Sequence, residues 1–377
     1  MQSTGASDLI EPLGRISPSG YTRLKECPLR EVFSRSAEPF LPGSPKARVG
    51  TIIHGFLEEV GQGNIDPTDS ENFRKAWEER IESEEEKMAA SRLEERFIPF
   101  ADSVPLLEVL YFQCRDRAEE LADLKESSTG GGTARNEEWV ETSEGDVGGY
   151  IDRVIEGDLG VILQDYKTGS LFSTSEEEGR SLKGGYQDQI KLYAALYREK
   201  YSEWPTELQL VKLDGTAAKL NYSQDEARSL LQEAQNLHDR VNQAVERVKE
   251  SKDDLSCLAD PSQETCRFCQ YRPACPSYLM TREEADEDGW PDDVAGVVVR
   301  AERDKGGRLV LRVDDTIPGK GGVSCRGIEM NMIFGFEDGV EEEKAVGIFG
   351  LYEQSEGVFR ATNWTAVYKV DETLKRK

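Results

Sequence analysis

The alternation of apolar and polar positions divides the chain into a helical front, a strand-rich middle and a second alternating stretch at the end. Residues 17–35, SPSGYTRLKECPLREVFSR, read as a Ser-capped helix carrying Cys27. A second helix starts near Val49, with Ile53, Phe56, Leu57 and Val60 spaced to face a core. Long, highly charged helices follow over about 71–124 and read as scaffold. A break at Gly130, Gly131 and Gly132 then gives way to three apolar, β-rich segments at about 134–141, 147–156 and 160–167. A helix over 186–201, a strand over 208–213 and a long helix over roughly 223–251 complete the order helix, three strands, helix, strand.

The segment REEADEDGWPDD, residues 282–293, combines charge, Pro and Gly as a linker does. Beyond it VAGVVVRAE, RLVLRVDD, CRGIEMNMIFGF, KAVGIFGLYE and GVFRATNWTAVYKV alternate as strands do. Five short strands suit a small all-β domain such as an OB-like barrel, and another five-stranded barrel or sheet gives a similar pattern. The expected division is 1–281, a linker at 282–293, and 294–377.

Composition changes this picture in three ways. A length of 377 residues suits two domains. No run of about 18 apolar residues is long enough to span a bilayer, and MQSTGASDLIEPLG lacks the basic-then-apolar order of a secretory signal. The expectation is a soluble, cytoplasmic protein without a membrane partner. The formal charge of −26 opposes contact with a polyanion. Much of the acidity lies in runs such as Glu84 to Glu86, Glu176 to Glu178, Glu283 to Asp293 and Glu341 to Glu343, which read as solvated faces or linkers. Any nucleic-acid role therefore needs a local basic groove or a partner.

The candidate chemistry lies in GGYIDRVIEGDLGVILQDYKTG, residues 148–169. Residues two apart on a strand share a face, so Asp165 and Lys167 point together while Tyr166 points away. An antiparallel neighbour can bring Asp152 beside Asp165. Two carboxylates that close repel unless a divalent cation lies between them, and oxygen ligands suit Mg2+. A lone D-x-K is an ordinary hairpin edge, and the surrounding residues give it weight. His54 is one of only two histidines, and Gln189 and Tyr193 fall four apart on one helical face.

Seven cysteines, four of them between Cys257 and Cys275, look like ligands rather than a disulfide framework. Cys266, Cys269 and Cys275 form C-x2-C-x5-C, one thiolate short of the four that zinc or a cubane cluster takes. Spacing leaves Cys257 and Cys27 as candidates for the fourth.

In this order the elements resemble the RecB-like branch of the PD-(D/E)XK nucleases over roughly residues 17–280. The matches are His54 in GTIIHGF, Asp152 in GGYIDRV, Asp165 and Lys167 in DYKTG, and Gln189 with Tyr193 in QIKLY. The resemblance implies an α/β (α+β) restriction-endonuclease-like core with a helical N-terminal part and a mixed central sheet. It implies Mg2+ or Mn2+ on His54, Asp152, Asp165 and the main-chain carbonyl of Tyr166. Lys167 would act on the attacking water, and Gln189 and Tyr193 would orient Lys167 or the DNA backbone, giving phosphodiester hydrolysis without a covalent enzyme intermediate. Glu137 is a possible accessory acid.

Iron-sulfur members of that branch take one Cys before the nuclease core and three after it, the first commonly preceding Pro. The resemblance therefore implies a 4Fe-4S cluster on Cys27, Cys266, Cys269 and Cys275, with zinc as the alternative; Cys114, Cys257 and Cys325 remain as ordinary thiols. The implied substrate is DNA, as single strands or ends, in repair, recombination or antiviral defence. Arg23, Lys25, Arg48, Arg153, Lys183 and Lys191 are candidate phosphate contacts, with Tyr186 for stacking. No G-x-x-x-x-G-K-[ST] loop occurs, so any unwinding falls to a helicase or ATPase partner in trans. A non-catalytic iron-sulfur DNA-binding or assembly subunit of a helicase-nuclease complex is the alternative.

Overall fold

Ser17 opens the first helix as expected, its Oγ accepting the Gly20 N–H at 3.0 Å. The single helix expected over 17–35 is in fact two: α1 (Pro18–Glu26) and α2 (Pro28–Ser36), separated by Cys27 at φ −160°, ψ 103°. Pro28 is the cause, because a proline ring disfavours helical backbone in the residue before it. The break turns the Cys27 thiol out of the helix register.

The computed structural model describes residues 6–126, 133–175, 179–284, 289–317, 321–336 and 339–369. The expected glycine break at 130–132, the acidic run 176–178 and part of the acidic linker, 285–288, lie outside the described residues. Helices α3 (Pro45–Gln62), α4 (Ser70–Ala89), the short α5 (Phe100–Ser103) and α6 (Leu107–Glu126) follow. Gly63, at φ 84°, ends α3 in the left-handed conformation a glycine adopts without strain.

Three strands come next, β1 (Thr133–Glu141), β2 (Gly148–Gly157) and β3 (Gly160–Lys167), close to the expected spans. A small hairpin, β4 (Phe172–Ser175) with β5 (Gly179–Leu182), precedes α7 (Gly184–Tyr201). Strands β6 (Glu207–Lys212) and β7 (Ala217–Leu220) lead into α8 (Gln224–Lys249). The sheet order is β1-β2-β3-β6-β7, antiparallel throughout except for β3 beside β6, which α7 connects as a crossover. This mixed sheet under helices is consistent with a restriction-endonuclease-like fold. The short strands β4, β5 and β7 were not legible in the apolar pattern.

One apolar core packs α1, α2, α7 and α8 on one face of the sheet, with Ile151, Leu163 and Leu210 among its strand residues. A second packs α3, α4 and α6 on the other face, where Phe56, Trp77 and Tyr111 meet Tyr166 and Val211. The sheet is therefore enclosed on both sides, and its polar residues gather where the strands part.

Past α8 lie α9 (Gln263–Arg267) and α10 (Pro276–Glu284), then an all-β domain. Its strands are β8 (Val294–Arg303), β9 (Leu309–Ile317), β10 (Gly321–Ile328), β11 (Ile333–Phe334), β12 (Ala345–Ser355) and β13 (Val358–Lys369). The segment expected as one strand at CRGIEMNMIFGF is divided by a 3-10 turn at Met330–Met332. The order β10-β9-β8-β12-β13-β11 is closed by parallel pairing of β10 with β13, so the five long strands form a barrel around their own core.

The barrel is fastened to the first domain. Leu41, Cys266, Tyr278 and Leu279 share an apolar cluster with Ala295, Phe349 and Ala366. Arg272 pairs with Asp293 through Nε at 2.8 Å, both side chains being buried. Asp293 also accepts the Tyr278 hydroxyl at 2.7 Å and the Gly350 N–H at 2.7 Å. The acidic segment before the barrel thus ends in a buried carboxylate.

Candidate active site

The β2–β3 ladder pairs Gly157 with Gly160 at the turn and ends at Arg153 opposite Gln164. Immediately beyond, where the strands separate, stand Asp152 and Asp165. In place of the next rung, the Tyr166 N–H donates to Asp152 Oδ2 at 2.5 Å. Asp165 Oδ1 accepts Gln189 Nε2 at 2.8 Å, and Gln189 Oε1 accepts Lys167 Nζ at 2.8 Å. Lys167 Nζ lies 2.6 Å from Asp165 Oδ2. That ion pair lacks hydrogen-bonding geometry, so Oδ2 is buried with its lone pairs unmatched by a directed donor.

These residues line one cleft of about 510 Å3 together with His54, Arg23, Arg30 and Tyr186. Burial holds the His54 imidazole below its usual pKa, against the attraction of Asp165, so the ring is neutral at pH 7 and able to ligate. Burial, reinforced by the Asp165 charge, holds the Asp152 carboxyl well above the usual carboxylate range. Burial, then the Asp165 and Asp152 charges, push the Tyr193 phenol up, so it stays protonated. Glu137 is raised from 4.5 to about 7 by burial and by Glu58.

The expected residues are thus brought together: Gln189 grips Lys167 and Asp165, while Tyr193 and Glu137 line an adjoining groove that shares His54 and Asp152. Glu137, at φ 51°, stands across from Asp152 between the paired residues Asn136–Arg153 and Glu138–Ile151. Among the described residues no three His, Cys, Asp or Glu side chains are arranged as they stand to hold a metal ion. The donor set nonetheless fits one: a buried carboxylate oxygen without a directed hydrogen-bond donor, the carboxyl of Asp152 and a neutral imidazole share the cleft.

Several expected phosphate contacts are corrected. Arg153 is buried, Arg48 is taken up by Glu84 and Glu94, and Lys191 is buried against Glu226. Lys25 faces Asp188 and Glu233. Lys183 and Lys167 both lie over the Tyr186 ring, at 5.3 and 4.7 Å from its centroid. Arg23 lines the cleft but is itself paired with the buried Glu31 at 2.7 Å. Sequence reasoning missed Arg15, Arg30, Arg35, Glu58 and Tyr150, although Glu58 is one helical turn past His54 and Tyr150 shares the face of Asp152 by strand alternation.

Cys27, Cys266, Cys269 and Cys275 line one small cavity with the apolar Leu29, Phe33, Ala259 and Pro261. The Asp260 N–H is aimed at Cys27 Sγ at 3.5 Å, and the Tyr278 N–H at Cys275 Sγ at 3.4 Å. Burial raises Cys266 and Cys275 to about 12 and lifts Cys269 as well. Cys257 is exposed and lies outside this cavity.

The sequence profile of the PD-(D/E)XK nuclease superfamily matches residues 15–276. No curated protein matches the chain. Among solved structures, an inferred exonuclease from Eubacterium rectale aligns with a TM-score of 0.36 at 11% identity, covering 64% of this chain and 83% of that one. The protein SSO0001 aligns with a TM-score of 0.23 at 17% identity, covering 53% and 80%. Likeness at that level carries no argument. The profile match spans more than half of the sequence and includes His54, Asp152, Asp165, Lys167 and Gln189, so the chain belongs to the PD-(D/E)XK nuclease superfamily.

Proposed function

We propose that this protein is a Mg2+- or Mn2+-dependent deoxyribonuclease of the RecB-like branch, acting on single-stranded DNA or DNA ends. One observation carries the reading: two buried carboxylates and a lysine fixed by Gln189 meet where β2 and β3 part, in a cleft with a neutral imidazole. His54, Asp152, Asp165 and the Tyr166 carbonyl would hold the cation. When bound, the cation supplies Lewis-acid stabilisation of charge on the scissile phosphate.

The chain's own residues do the rest. Gln189 fixes Lys167 by accepting from Nζ, so the ammonium points at the carboxylates and can orient the attacking water. The Tyr166 N–H holds Asp152 against rotation. Tyr193, protonated and buried, offers a donor rather than a charge.

The four-cysteine cavity supports a 4Fe-4S cluster on Cys27, Cys266, Cys269 and Cys275, with a structural role that ties the chain before the sheet to the chain after it. The closed five-stranded barrel supports an OB-like reading of residues 294–377 as a separate domain. Repair, recombination and antiviral defence all suit such a nuclease.

The test is digestion of end-labelled single- and double-stranded DNA with Mg2+ or Mn2+ by wild type, Asp165→Ala and Lys167→Ala. Cleavage should require the metal and be lost in both variants; cutting that survives both changes refutes the assignment.

A further inference from the structure

The groove beside the catalytic cleft, about 960 Å3 in volume, shares His54 and Asp152 with it and is lined by Glu137 and Trp139 of β1 and Gly148, Gly149 and Tyr150 of β2. Register explains what it presents. Trp139 pairs with Tyr150, and two residues along the same face Glu137 stands opposite Asp152. Tyr150 is therefore about 7 Å along the strand from a catalytic carboxylate.

Tyr150 is 53% exposed, on the part of β2 that extends beyond the β2–β3 ladder and pairs with β1. It is held upright by Trp139, edge on, with centroids 4.7 Å apart. Trp139 is backed in turn by the Arg15 guanidinium, 4.4 Å from its centroid. Arg15 makes only a loose 3.5 Å contact with Glu141 and remains 44% exposed. Arg35 lines the same groove and is steadied through Nε by the fully buried Glu31 at 3.2 Å. Gly145, Gly148 and Gly149 also line it, and a Cβ on Gly149 would meet Pro18 Cδ at 3.1 Å and the Tyr193 hydroxyl at 3.2 Å. The acidic Glu58, Glu137 and Asp152 lie near one another in the lining beside His54, and Arg15 and Arg35 are its cationic members.

We propose that this groove is the track for a single DNA strand, with an unpaired base stacked on Tyr150, neighbouring phosphates met by Arg15 and Arg35, and the strand delivered to Asp152. The proposal rests on the nuclease reading above and names how its substrate is chosen. A base inside a duplex is already stacked and paired, so its face cannot reach a ring set on the sheet surface without being extruded. An unpaired base offers that face freely, and stacking is tolerant of sequence. Arg15 and Arg35 give the groove two cationic points in a chain whose overall balance is strongly acidic.

The experiment separates this inference from the nuclease assignment because it reads binding without cleavage. Fluorescein-labelled oligo(dT) and a blunt duplex are titrated by anisotropy, in EDTA, with the full chain, Tyr150→Ala and Tyr150→Phe. Wild type should bind oligo(dT) more tightly than the duplex. Tyr150→Ala should weaken oligo(dT) binding by roughly tenfold or more, and Tyr150→Phe, which keeps the ring, should restore it. Circular dichroism of Tyr150→Ala confirms its fold. Unchanged affinity in a folded Tyr150→Ala, equal affinity for duplex, or no binding of oligo(dT) by wild type overturns the track. Failure of the nuclease reading shows elsewhere, as metal-dependent cutting that survives Asp165→Ala.

Discussion

The Tyr166 N–H donates to Asp152 Oδ2 at 2.5 Å, tying the carboxylate on β2 to the backbone of the strand that carries Asp165. The bond fixes Asp152 at the fork but does not remove its repulsion with Asp165, and burial keeps solvent from screening it. A divalent cation relieves that repulsion. Asp152→Asn cannot ionise beside Asp165 and keeps an acceptor for the Tyr166 N–H, so the metal-free variant should melt a few degrees above wild type. Cleavage should fall on the order of a thousandfold, and Mg2+ or Mn2+ should stabilise wild type but not the variant. Thermal melts with and without metal check this. Equal stabilisation of both proteins by the cation would contradict it.

Glu137 gives a pH dependence whose sign follows from its environment. Burial and Glu58 raise it from 4.5 to about 7, so the folded protein favours the protonated form more than the unfolded chain does. The associated stability is complete below the ordinary carboxylate value and is lost as pH rises through about 7. The melting temperature of the metal-free protein should therefore decline between pH 5 and 8, roughly the span of that shift. Glu137→Gln should flatten the decline. Parallel pH profiles for the two proteins would remove Glu137 as its source.

The strands of the site were legible because each chemical residue interrupts an apolar alternation: Asp165 follows Val161 and Leu163 on one face of β3, and Asp152 follows Gly148 and Tyr150 on β2. His54 was legible as a polar residue on a helix whose apolar face was already filled. What the pattern did not carry was pairing. Arg48 and Lys191 looked like free cations because their partners, Glu84 with Glu94 and Glu226, lie 35 or more positions away in sequence. The Cys27 break was present in the sequence as Cys27-Pro28, but helical periodicity on both sides masked it. Tyr150 shares the face of Asp152 by alternation, but alternation alone does not say which side chains of that face solvent reaches, and its exposure comes from the folded structure.

The cysteine cavity predicts a cofactor whose loss is felt structurally. Cys27 comes from the junction of α1 and α2, Cys266 from α9, and Cys269 and Cys275 from the stretch between α9 and α10. Buried thiols raised by desolvation stay protonated until a metal takes them as thiolates. Purified under anaerobic conditions, wild type should contain about four irons and four sulfides per chain and be coloured. Cys266→Ser and Cys27→Ser should each lose iron and lower the melting temperature, on the order of 10 °C. Zinc in place of iron and sulfide would turn the site into a zinc centre. Full thermal stability in a variant free of both metals would sink the structural role.

Arg272 makes the cysteine loop and the barrel one mechanical unit. Its Nη1 donates to the carbonyls of Cys266, Cys269 and Arg267 at 2.8, 3.0 and 3.2 Å, while Nε and Nη2 hold Asp293 at the start of the barrel. Asp293→Ala would leave a buried guanidinium without its counter-charge and orphan the Gly350 N–H, a loss of about 3–5 kcal/mol. Asp293→Asn keeps an acceptor and should lose less. Because the same guanidinium braces the loop that carries two of the cysteines, Asp293→Ala should also lower iron content and open the 282–293 segment to protease. Denaturant unfolding, iron analysis and limited proteolysis check the three consequences together. A variant that unfolds and retains iron as wild type does would show that the apolar contacts of Tyr278, Leu279 and Phe349 alone hold the barrel in place.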